Sequence, residues 1–190
     1  MFTHPGKKLL FMGQDIGEWD EWNEKRGIQW DLLKYDDHRN YNNFVKDLVE
    51  LYNTTPALYE LDNDSEGFEW INNISANETI LVFLRKDTEG NNLLVVCNFA
   101  DIDRKDYKIG VPFSGKYKEI FSSDDVRFGG KGHNNPRVKR SRADECDNRP
   151  YSIRIDVPAL SVSVFSCTYF EQEDLKYYHA PAKPHKRRKH

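Results

Sequence analysis

The stretch "HPGKKLLFMGQDIGEWDEWN" (4–23) decides the reading of this chain. Within it "KKLLFMG" (7–13) is a continuous apolar run ended by Gly13, the pattern of a strand buried on both faces, as in a parallel sheet. Residues 13–35 follow, rich in Gly, Asp, Glu, Asn and Trp, and read as one long loop. Loops of that length in compact proteins are functional or disordered, and Trp19, Trp22, Trp30 and Tyr35 argue for order. A helix comes next, with Asp36 as its N-cap and Asp37 at the positive end of its dipole. Tyr41, Phe44, Val45, Leu48, Leu51 and Tyr52 recur at three- and four-residue intervals and give it one apolar face. Thr54, Thr55 and Pro56 stop it. Strand, loop and helix form one β/α unit, and a lone unit cannot bury both faces of its strand. It requires a partner sheet.

From about Phe68 the hydrophobic period changes from 3.6 to 2. "FEWIN", "TILVFLR", "LLVVCNF", "YKIGV", "KYKEIF", "YSIRIDV" and "LSVSVFSC" are short strands separated by turn signals. "KDTEGNN" (86–92) is a hairpin connection containing Gly90. In "YSIRIDV" the polar Ser152, Arg154 and Asp156 alternate with apolar neighbours, giving a half-buried antiparallel strand. About seven such strands predict a small antiparallel β-sandwich. The fold class is therefore mainly β, a sandwich preceded by a single β/α unit, divided as 1–60, 61–170 and a basic tail, 171–190, that reads as disordered. The longest irregular stretch, 122–149, holds "RFGGKG" (127–132), which lacks the strand-into-helix context of a phosphate loop and reads as a plain flexible loop, against the alternative of a sugar-binding loop.

The totals narrow the function classes. In 190 residues, 38% hydrophobic content with 13% aromatics suffices for one core, although mean hydropathy is low at -0.81. A net charge of -3 argues against a general nucleic-acid or membrane binder. No run approaches the roughly 18 apolar residues of a membrane span, and the four apolar residues after Lys8 are too few for a signal peptide. Cys97, Cys146 and Cys167 are odd in number and far apart, as free thiols in a reducing cytoplasm would be. Glycosylation-like triplets at Asn53, Asn73 and Asn77 then read as chance. The histidines are scattered and show no zinc-ligand spacing, so no metal is expected.

Asp15, Glu18, Asp20 and Glu21 crowd the carboxyl end of the first strand, where barrels and open α/β sheets hold ligands. Two carboxylates a few ångströms apart can perform retaining glycoside chemistry, but spacing within one loop does not specify that geometry. The acids are read as residues that position neighbours or touch a ligand, against the alternative of a solvated acidic loop. Trp19, Trp22 and Trp30 could stack on sugar rings or pin the loop by packing. Packing is expected for Trp22 and Trp30, while Trp19 is open between the two. The candidate substrate-binding set is Asp15, Glu18, Trp19, Glu21 and Trp22.

"HPGKKLLFMGQDIGEWDEWN", extended by "IQWDLL" (28–33) and "PALYELD" (56–62), closely resembles the bacterial glycogen branching enzyme family of the alpha-amylase superfamily. The likeness continues through "GFEWI", "LLVVCNF", "IGVP" and "RFGG" to about residue 165. The resemblance implies a (β/α)8 barrel followed by an all-β C-terminal domain. Residues 1–60 would then be the eighth barrel strand, its loop and its helix, and the missing partner sheet would be the first seven strands. It also implies transfer of an α-1,4-linked glucan onto a 6-hydroxyl by a retaining mechanism, without metal or organic cofactor. The family's Asp nucleophile, Glu acid/base and stabilising Asp follow its fourth, fifth and seventh strands, so none maps onto this chain. The implied partners are α-1,4-glucan or glycogen and the upstream barrel segment. The run Gln14, Asp15, Ile16, Gly17, Glu18 departs from the family: Asp15 stands where Glu is usual, and Glu18 puts a charge where the family has a neutral amide. Two rival readings are a non-catalytic α-glucan-binding module and a truncated reading frame without independent function.

Overall fold

The computed structural model describes residues 1–73 and 78–170, so the reading of the 171–190 tail lies outside the described residues. Strands β1 (Phe68–Asn72), β2 (Ile80–Lys86), β3 (Asn92–Asn98), β4 (Arg104–Val111), β5 (Gly115–Ser122), β6 (Lys139–Arg140), β7 (Tyr151–Val157) and β8 (Ser161–Tyr169) form two antiparallel sheets. The larger has the order β1-β2-β3-β8-β5-β6 and the smaller pairs β4 with β7. All seven expected strands are present, and only the two-residue β6 was not read from the sequence. Lys86 pairs with Asn92 across the expected hairpin. The carboxylate of Asp87 shapes that turn by accepting from the backbone N–H groups of Glu89 and Asn91.

The central strands β2 and β3 are apolar on both sides because both sides of the large sheet are covered. On one side Val82, Leu84, Leu94 and Val96 meet Ile109, Val111, Ile153 and Ile155 of the small sheet. On the other, Phe83, Leu93, Val95, Cys97, Phe121 and Val164 meet Phe44, Leu48, Leu51 and Tyr52 of helix α1 (Asp36–Thr54) and the 3-10 turn Pro56–Leu58. Full burial of one such side chain stabilises by about 1.5–3 kcal/mol, so the two layers hold the helix firmly on the sandwich. Its N-cap is Tyr35, without a side-chain cap bond, and not Asp36, which is the first helical residue. Asp36 and Asp37 therefore act on the helix dipole from inside the first turn.

The strand read over 7–13 does not form. Residues 7–11 have no regular structure and a chain of turns follows, with Gln14 N–H donating to the Phe11 carbonyl and Ile16 N–H to that of Gly13. A strand needs a neighbour for its N–H and C=O groups, and none of the described strands reaches this segment. Its side chains are left outside: Leu9 is 67% exposed and Leu10, Phe11 and Met12 are about two-fifths exposed. The long loop is also more structured than the sequence suggests, containing the 3-10 turn Trp30–Lys34. "RFGGKG" is no flexible loop. The Asp124 carboxylate accepts from the N–H groups of Lys131 and His133, Arg127 pairs with Asp47 of α1 at 3.0 Å, and Phe128 packs on Phe44 and Phe121.

A buried ion cluster joins the N-terminal segment to the sandwich. Arg85, at the end of β2, is fully buried. Its guanidinium donates to the carbonyls of Thr3 (3.0 Å), Leu58 (3.1 Å) and Gly67 (3.3 Å) and to Asp62 (2.6 Å). Asp62 also accepts from Lys8 and from the Tyr52 hydroxyl, both at 3.2 Å. Burial lowers the pKa of Lys8, against the opposing pull of Asp62.

The three cysteines are free, as read. Burial within the sheet pushes the Cys97 thiol up to about 11 from its ordinary value of 9.0. The unfolded chain therefore ionises this thiol first, and the stability its neutral form contributes is present below pH 9 and is lost as pH rises through 11. At ~1.4 kcal/mol per unit, Cys97→Ala should flatten a fall of about 2–3 kcal/mol between those limits. Urea unfolding of both proteins at pH 8, 9.5 and 11 checks this; parallel curves would contradict it.

Candidate functional site

The loop over residues 13–35 is built from its own polar groups and clamped by two side chains of α1. His38 and Asn42, one turn apart and both buried, reach the loop backbone. His38 Nδ1 lies 2.8 Å from the Ile16 carbonyl, and Asn42 Nδ2 donates to the Asp15 carbonyl at 3.0 Å. Between them Ile16 is fully buried and pins the loop. Sequence reasoning passed over both residues. The signal was their spacing of four, continued by Val45, on the inward side of an amphipathic helix.

The acids divide into two kinds. Glu18 is half-buried: its Oε1 accepts from the Gln29 backbone N–H and its side chain lies along Gly13, so it closes the loop across eleven residues. Asp20 accepts from Arg26 and from Gln29 Nε2, each at 3.0 Å, and the Arg26 and Gln29 hydrogen bonds lower its pKa. The Asp15 and Glu21 carboxylates have no partner among the described residues. Trp19, 77% exposed, has one ring contact among the described residues, an edge contact with His38. Trp22 and Trp30 are more than half exposed as well, which corrects the expectation that they pack. Among the described residues Trp22 makes a single edge contact with Phe11 and Trp30 makes no ring contact, so neither ring is packed into a core.

Glu18, Asp20, Glu21 and Trp22 line one rim of an open cleft of about 930 Å³. Residues 9–12 form its opposite rim, and Phe44, Leu48, Phe121 and Val164 form its apolar floor. Asp15 faces a different hollow beside Asn42 and Val45, and Trp19 lines neither. The structure thus brings together Glu18, Glu21 and Trp22 of the candidate set and separates Asp15 and Trp19 from them. Glu18 and Asp20 serve as loop braces, and among the described residues of the cleft no nucleophile–base pair is assembled. Among the described residues no three His, Cys, Asp or Glu side chains come together as a metal site would require.

Gly13 makes the brace possible. It adopts φ +81°, and a Cβ there would stand 2.5 Å from Glu18 Cδ. Gly13→Ala is therefore expected to cost about 1–2 kcal/mol in backbone strain and to displace Glu18 from Gln29. Hydrogen exchange at the Gln29 amide should accelerate in that variant while amides of β3 stay protected.

The family model for the alpha amylase C-terminal all-beta domain matches residues 70–168, more than half of the chain. Over 87% of its length the chain is 46% identical to the 1,4-alpha-glucan branching enzyme GlgB of Oceanobacillus iheyensis and 43% identical to that of Halothermothrix orenii. It is 45% identical over 86% to the Synechococcus elongatus enzyme. In each case it spans only about a quarter or a fifth of the relative, 26%, 26% and 21%. The antiparallel sheets that fill residues 68–169 and the match along them lead to one assignment: the chain belongs to the alpha-amylase C-terminal all-β domain family.

Proposed function

We propose that this chain is the C-terminal portion of a 1,4-alpha-glucan branching enzyme. In this reading residues 1–60 supply the last strand, loop and helix of a catalytic barrel, and residues 61–170 are the all-β domain beside it. The reaction moves a stretch of α-1,4-linked glucan onto a 6-hydroxyl in the cytoplasm, with the catalytic carboxylates on the upstream portion and no metal or organic cofactor. The loop over 13–35 offers Trp22 and Glu21 to the glucan, held by the Glu18 brace. The chain by itself carries no transferase activity.

One observation carries this reading. The segment that reads as a buried strand stands uncovered, its leucines exposed beside an apolar cleft, in a chain that spans only 26% of a branching enzyme to which it is 46% identical over 87% of its own length. An apolar stretch of this kind is satisfied by a neighbouring strand. The truncated-frame reading has half of its cue, since residues 9–12 are exposed while the apolar face of α1 is covered by the sheet. The binding-module reading has less support, because Trp19, Trp22 and Trp30, the three most exposed tryptophans, lie on the loop, while the sandwich strands expose Trp70 and Tyr169 on β1 and β8, which are not neighbours in the sheet.

Co-expression tests the proposal. The upstream part of the Oceanobacillus iheyensis enzyme, ending where the match begins, is produced alone and together with this chain. Neither part alone should change the iodine absorbance of amylose, and the pair should lower it over time with total glucan constant. Branching by the chain alone, or an inactive pair that nevertheless copurifies, would defeat the proposal.

A further inference from the structure

Outside the cleft, the two sheets are stitched together by residues 139–142, none of which lines it. β6 pairs with β5, and the next turn crosses to β7. Arg142 and Ser152 exchange both backbone hydrogen bonds, at 2.9 and 3.0 Å. Ser141, buried to 1%, donates its N–H to the Gly115 carbonyl and accepts the Gly115 N–H on its hydroxyl. The strip is thus fixed from both sides.

This rigid strip lines a concave groove of about 1150 Å³ that carries Arg137, Lys139, Arg142 and Arg154, beside Arg140, with Asp106 and Asp144 as its carboxylates among the described residues. Both carboxylates are already engaged, Asp144 by Lys108 at 2.8 Å and Asp106 by Arg154 at 3.0 Å. Arg137, Lys139 and Arg142 have no carboxylate partner among the described residues. Arg140 lies over the Phe170 ring, which forms one wall. In a chain of net charge -3, such a concentration of cations is a local segregation of charge. Lysine on a sheet edge also prevents edge-to-edge pairing. That purpose needs only the edge strand, whereas here Arg137 and Arg142 extend the charge beyond β6 and around a hollow.

We infer that this groove binds a phosphate monoester carried on a carbohydrate. The forks of Arg137 and Arg142 match phosphate oxygens bidentately, Lys139 adds a point charge, and the groove wall formed by Phe170 bounds the space beside them where the sugar would lie. The phosphate could belong to a soluble sugar phosphate or to a phosphorylated glucan; the chemistry in the groove is the same. This inference is independent of the transferase reading, since the groove and the cleft share no residue.

Calorimetric titration of the full chain with glucose 6-phosphate, glucose, a phosphorylated α-glucan and the same glucan after phosphatase treatment tests it. Phosphate-bearing probes should bind at least tenfold more tightly than their phosphate-free counterparts. The variant R137Q/K139Q/R142Q should lose at least tenfold of that affinity. K25Q/K34Q/K46Q, which removes equal charge elsewhere, should lose less than twofold. Thermal melts of both variants control for folding. Tighter binding of the glucan than of the sugar phosphate supports a polymeric source, and equal binding supports a soluble one. No phosphate-dependent binding, equal losses in the two triple variants, or equally tight binding of an RNA of matched charge would each overturn the inference.

Discussion

Arg85→Leu is expected to lower the free energy of unfolding by about 3–5 kcal/mol, the range for removing one partner of a buried ion pair. For a chain of 190 residues that corresponds to a fall in Tm on the order of 10 °C. The size follows from what the guanidinium satisfies. It is wholly buried and supplies hydrogen bonds to the carbonyls of Thr3, Leu58 and Gly67, from three separate segments, besides its pair with Asp62. Leucine removes every one of these donors and leaves Asp62 with Lys8 and Tyr52 alone. Asp62→Asn should be milder, since the three carbonyls keep their donor. The pair R85L/D62L should cost less than the sum of the single leucine variants, because neither charge is then stranded. Urea unfolding measures all of these. A loss below 1 kcal/mol for Arg85→Leu would mean that the N-terminal segment is held by the apolar contacts of α1 and not by this cluster.

That cluster also marks where sequence reading stops. Arg85 ends "TILVFLR" and looks like the polar residue that closes a strand, yet the groups it serves lie between 18 and 82 residues away. No local pattern encodes such a meeting. β2 and β3 were legible because their apolar runs are covered on both faces, and turn residues bound them on either side. The helix was legible over nearly its full span, since Phe44, Leu48, Leu51 and Tyr52 carry the periodicity. What the helix covers was not, because an apolar face specifies burial and not a partner. The same limit explains the misread strand over 7–13: a strand belongs to two segments, and an apolar run without a neighbour stays irregular. In the candidate site the sequence correctly placed acids and tryptophans in one ordered loop. It could not say that Glu18 would turn inward to Gln29 while Trp22 and Trp30 stayed out, because side-chain direction in a loop depends on hydrogen bonds such as those of His38 and Asn42.

Leu9→Asp/Leu10→Asp is expected to have opposite effects in two settings. In the isolated chain both side chains face solvent, Leu9 at 67% and Leu10 at 41% exposure, on the rim of the apolar cleft. Exposed positions tolerate substitution within about 0.5 kcal/mol each, so the melting curve should scarcely move. Fluorescence of a hydrophobic dye should fall several-fold as the rim becomes charged. In the reconstituted pair the same residues would enter a sheet buried on both faces, where an unpaired carboxylate costs several kcal/mol. Branching by the pair should then drop more than tenfold, with copurification lost in parallel. The two readouts separate a docking surface from an ordinary structural segment. If residues 9–12 merely completed the core of this chain, the aspartates would depress its Tm and leave dye binding raised. If they await a neighbouring strand, the isolated chain becomes better behaved as the assembly fails, because the apolar surface that invites aggregation is the surface the assembly requires.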